Sequence, residues 1–144
     1  MDKRYTPRPL ARWYMAAAAA AFIVCGIGLA MFINRHWMGA AGAVPLDQRA
    51  ALVAEPVWLV ALAGVASIAG VAGAALLLFR RRAAEPLLML AMASTGLWLV
   101  GLFAVRALRE AMTSNDYAVA VAAALVVWTI YAFARHSRQR GWLR

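Results

Sequence analysis

One cysteine, two histidines and a single lysine stand among 144 residues, and each shortage removes a class of chemistry. Cys25 has no second thiol in the chain, so no intramolecular disulfide staples the fold. His36 and His136 alone do not make a metal site, which takes three or four convergent ligands. Charge is scarce too: Asp, Glu, Lys and Arg make up 15% of the chain, where a soluble domain carries about a quarter. No glycine-rich phosphate loop, metal-ligand spacing or nucleophile–base pair is written in the sequence. The expectation is a protein that is not an enzyme and carries no cofactor.

Apolar residues are in excess, at 65% of the chain with a mean hydropathy of +0.70. They fall in runs too long for a soluble core. A helix needs about 20 apolar residues to cross the hydrocarbon layer. Four stretches qualify, approximately 13–33, 57–79, 87–105 and 117–134, with tails at 1–12 and 135–144. Strands in lipid would leave backbone groups unpaired, so all four are expected to be helices. The predicted fold is all-α: a polytopic membrane protein of four transmembrane helices, arranged as an up-down bundle in one membrane domain covering 1–144. The first run has a basic leader and an "AGA" at 41–43 that mimics a cleavage site. Its apolar length, and the polar "NRHW" before that site, favour a retained anchor.

Orientation follows from Lys and Arg. With both termini cytoplasmic (N-in/C-in), eleven of them lie on the cytoplasmic side and four, Arg35, Arg49, Arg106 and Arg109, on the other. Asp2 and Glu85 join the first group, so the formal net charge of +9 falls entirely on that face. Fourteen arginines to one lysine, with abundant alanine, suggest a GC-rich bacterial genome and hence a bacterial inner (cytoplasmic) membrane. A pI near 11.3 would indicate nucleic acid for a soluble chain. Here the basic residues cluster between spans, and anionic headgroups are the expected partner, not nucleic acid. Arg80, Arg81, Arg82, Arg138, Arg140 and Arg144 are the expected lipid contacts. Trp142 is expected to dip to the same headgroups, and Trp98 and Trp128 fall near mid-span.

Helix 2 carries the clearest packing pattern. Ala66, Gly70 and Ala74 recur every four residues, as do Ala69 and Gly73, which lets another backbone approach closely. The partner is a neighbouring helix of the same chain, or else a second copy in a homodimer. The connector before helix 2 offers a short amphipathic surface helix from Pro45 through "LDQRAALVAE", with a plain solvated loop as the simpler reading. No ionisable residue falls in the middle of a span, where such groups are usually functional. Ser67, Ser94, Thr95, Thr129 and Tyr131 are expected to be satisfied structurally. Ser94, Thr95 and Gly96, with Trp98 nearby, form the densest polar notch and the first choice for a small polar ligand. Glu55-Pro56 and Glu85-Pro86 read as helix starts, with proline in the first turn and an acid at the positive end of the dipole.

"EPVW" opening helix 2, "LLLFRRRAAEP" closing it and the terminal "RQRGWLR" give the chain its most individual features. In these the chain resembles a group of small four-helix bacterial inner-membrane proteins of unknown function, some of which are labelled sugar transporters. The resemblance implies the four-helix plan and transfers no functional residue. The leading expectation is a non-enzymatic accessory or scaffold subunit that associates through helix packing with an unidentified membrane protein or with itself. The alternatives are a small-solute transporter or channel component acting as an oligomer, and a lipid-binding regulator.

Overall fold

The computed structural model describes residues 12–38 and 52–143. Helix α1 spans Tyr14–Ile33, and a π-helical turn, Asn34–Met38, continues it. Helix α2 spans Val57–Leu78, α3 Ala84–Ala104, the short α4 Arg106–Ala111, and α5 Ser114–Gln139. Four of these, α1 with its π extension, α2, α3 and α5, are long and apolar enough to cross a membrane. At 1.5 Å per residue, the 22 residues of α2 reach about 33 Å, which matches the hydrocarbon thickness. The chain is thus all-helical among the described residues and has the makings of a multi-pass membrane protein.

Helices α3 and α5 run longer than their apolar runs. Helix α5 begins at Ser114 and reaches Gln139, beyond the 117–134 span, because polar residues extend a helix that is already nucleated and capped. Its start is a capping box: the Thr113 hydroxyl accepts from the Asp116 backbone N–H, and the Asp116 carboxylate accepts from the Thr113 N–H at 2.8 Å. Extended backbone at Val105, Met112 and Thr113 sets α4 off as a separate turn of helix. Arg106 and Glu110, four residues apart, pair on its exposed side at 2.8 Å.

Helices α2 and α3 form the most intimate pair, α1 packs along α2, and α5 packs along α3. Helices α1 and α5 meet instead through large side chains at one end, where Trp13 and Tyr14 lie against Phe133. That end, which also holds the α2–α3 turn, is here called the tail end. The far end carries the π turn, the start of α2 and the helix α4. Only 11% of the α1 span is buried within the chain, against 33% of the α3 span, so α1 is the most peripheral helix. Its Ile23, Ile27 and Met31, with Leu125 and Trp128 of α5, belong to an exposed apolar girdle of the kind that lipid covers.

Candidate functional site

Charged side chains converge at the two ends of the bundle, and among the described residues none lies in its middle. At the far end the focus is Glu55, whose side chain is only 2% exposed. Arg35 Nη2 donates to Glu55 Oε2 at 3.2 Å, His36 Nε2 stands 3.5 Å from the same oxygen, and Trp98 Nε1 makes a long contact of 3.5 Å to Oε1. The π turn explains how adjacent residues both reach one carboxylate, because its wider turn lowers the angle between successive side chains. A buried carboxylate without partners is strongly destabilising, by several kcal/mol at full burial. Arg35 keeps 42% of its side chain in solvent, which weakens its share. The cluster ties the end of α1 to the start of α2 and to α3.

This arrangement corrects the reading of Glu55 as a helix-start charge. Pro56 is the N-cap residue of α2, no acidic residue occupies its first turn, and the Glu55 side chain turns to Arg35 and His36. Glu85 does lie in the first turn of α3, and it also pairs with Arg138 of α5. Each Glu-Pro pair therefore supplies a carboxylate that clasps two helices, one pair at each end of α2. Trp98, taken as mid-span, belongs to the far end through its contact with Glu55.

The tail end is closed by aromatic rings and two chain reversals. Helix α2 stops in a Schellman motif: Arg81 N–H donates to Leu76 O and Arg80 N–H to Leu77 O, with Arg80 in the left-handed region at φ 57°. A side chain other than glycine is disfavoured there by about 1–2 kcal/mol. Arg80 Nε offsets part of this by donating to Trp142 O at 3.0 Å. Helix α5 ends in the same way at Gly141, φ 72°, with Trp142 N–H donating to Ser137 O. The reversal folds Trp142 back into the protein, where it is 6% exposed and lies edge-on to Trp13 and Tyr14. Trp142 is thus a core residue, not a headgroup anchor, because the glycine turn points its ring inward. Tyr14, fully buried, donates its hydroxyl to Leu77 O at 2.8 Å.

The remaining expected residues are placed as follows. Ala69, Gly70, Gly73 and Ala74 are buried and Ala66 is half-buried. Gly73 lies under Leu88 of α3, and Gly70 faces Cys25 of α1. The ridge of α2 therefore meets its own chain on both sides. Ser94 and Thr95 are buried, Thr95 Oγ1 donates to Ala91 O at 2.8 Å, and the ring of Trp128 stands over Gly96. Arg81, Arg82 and Arg140 are exposed at the tail end, Arg80 and Arg138 are engaged as described, and Arg144 lies outside the described residues. The amphipathic segment expected from Pro45 likewise lies largely outside them.

Sequence reasoning missed the far-end cluster, although an acid and an Arg-His pair at opposite ends of one connector were visible. It also missed the capping box, whose Thr-x-x-Asp signal stands at 113–116. The groups brought together can hold helices by charge and hydrogen bonding, and among the described residues no three metal-ligating side chains converge. No family model matches the chain, and neither a curated protein nor a solved structure matches it.

Proposed function

We propose that this chain is a non-enzymatic accessory or scaffold subunit of a bacterial inner membrane, with both termini in the cytoplasm. The observation that carries the reading is where its span hydroxyls go. Ser67, Thr95 and Thr129 each donate to the carbonyl four residues earlier, on their own helices, at 2.8 Å. A solute path needs such groups turned toward a passenger; here they are engaged locally. The small-residue ridge is covered by α1 and α3, which leaves the apolar faces of α1 and α5 for meeting another membrane protein. The exposed Arg81, Arg82 and Arg140 support contact with anionic headgroups at the tail end.

Purification in gentle detergent with crosslinking tests the proposal. A membrane protein recovered in fixed stoichiometry is the expected result, and a monomer under every condition would count against it. Solute uptake by proteoliposomes, reduced by Thr95→Val or Trp98→Ala, would overturn it in favour of transport.

A further inference from the structure

Two ties bring arginines from distant parts of the chain to one rim at the tail end. Arg80 Nε donates to Trp142 O at 3.0 Å, which fixes the α2–α3 turn against the residues that follow α5. Arg138 pairs with Glu85, which fixes the start of α3 against the last turn of α5. Each tie engages one arginine and leaves others beside it. Arg81 and Arg82 stand exposed on the turn, Arg135 stands exposed in α5, and Arg140 stands exposed at its C-cap. Glu85 is the one acid at this end among the described residues, and Arg138 already holds it. No carboxylate among the described residues therefore answers these four charges.

Apolar surface lies next to the rim. Phe79, directly before Arg80, is 73% exposed, and Met89 and Leu90 are about half exposed one turn into α3. Cations above exposed apolar side chains suit a molecule with an anionic head and acyl chains. A free phosphate gains nothing from the apolar part.

We propose that this rim is a binding site for a phospholipid that carries two phosphates in one headgroup, one met by Arg81 and Arg82, the other by Arg135 and Arg140. The inference deepens the headgroup contact proposed above and rests on it. A guanidinium suits phosphate because its fork of donors matches two oxygens at once. A lipid with one phosphate satisfies one pair of arginines and leaves the other unanswered. A second phosphate tethered to the first engages the remaining pair without a second loss of translational freedom. That advantage needs the two pairs held in fixed relation, which the Arg80–Trp142 and Arg138–Glu85 ties provide. The second tie also neutralises the carboxylate that would repel the headgroup.

Native mass spectrometry of the full chain in detergent tests this, with cardiolipin, phosphatidylglycerol and inorganic pyrophosphate as probes. Cardiolipin is expected to bind at least about tenfold more tightly than phosphatidylglycerol, and pyrophosphate more weakly than either. Arg81→Gln with Arg82→Gln, and separately Arg135→Gln with Arg140→Gln, should each bring cardiolipin down to the affinity of phosphatidylglycerol. Arg106→Gln, at the far end, should leave the preference intact. Equal affinity for the two lipids, or a preference that survives either double substitution, would overturn the proposal and leave general headgroup contact standing. Absence of binding by any anionic lipid would overturn both. Pyrophosphate bound as tightly as cardiolipin would assign the rim to a soluble phosphate and overturn the lipid site. Should a double variant not fold, the comparison of the three probes on the wild type decides alone.

Discussion

A β-carbon at Gly73 would lie 2.7 Å from Leu88 Cγ and 3.3 Å from the Leu88 backbone nitrogen, whereas one at Gly70 would meet Cys25 Sγ at an ordinary 3.6 Å. Two glycines three residues apart on α2 thus do different work. Gly73 sets the spacing of α2 and α3, and its neighbour cannot rotate aside because the backbone is part of the contact. Gly73→Ala is expected to destabilise the protein by about 1–3 kcal/mol, the usual effect of overpacking. Gly70→Ala meets no clash and should stabilise the protein by up to about 1 kcal/mol, the helix-propensity gain of alanine over glycine. Thermal unfolding of both variants in the same detergent checks the contrast, and equal midpoints would refute it. Tyr14→Phe removes a buried hydrogen bond worth about 1 kcal/mol. Leu77 O still accepts from Arg80 N–H, so no carbonyl is orphaned and a loss at the low end of that range is expected. Small-residue spacing was legible in the sequence at both glycines. Which of them touches a backbone was not, since that depends on the register of α2 against α3.

Helix by helix, end chemistry governs what hydropathy does not. Thr113→Ala removes the hydroxyl that accepts from Asp116 N–H and should cost about 1 kcal/mol, with faster amide exchange confined to the first turn of α5. Exchange spread evenly along α5 would show that the cap is not what holds that turn. The four spans were legible because about twenty apolar residues in a row have few other structures open to them. Their helical ends at Ala84, Ser114 and Gln139 were not, because a cap or a polar turn extends a helix without changing its apolar run. Glu55 shows the limit most clearly. Its place beside a proline was read correctly as a boundary, but its partners lie twenty residues back in the chain and become neighbours only when α1 ends in a π turn.

Across the whole molecule the charges separate by end. Glu55 engages Arg35 at the far end, while the exposed Arg81, Arg82 and Arg140 stand at the tail end. The positive-inside bias then predicts that reporter domains fused to the C-terminus read cytoplasmic, and a periplasmic signal would reverse the proposed topology. The number of spans was legible from composition and run length, whereas the short helix α4 was not. The closure of the tail end by Trp142 was not, because a glycine turn decides whether that ring meets lipid or Tyr14.

The five residues between α2 and α3, 79–83, have a consequence for how the molecule comes together. They join two helices that fit against each other through Gly73 and Leu88 and need no third helix for that fit. Helices α1 and α5 each lie along one member of this pair and are clasped at its ends, by Glu55 and by Glu85. With the shortest connector between spans and its own close fit, the α2–α3 hairpin is expected to pair first and to serve as a template onto which the first and last spans dock.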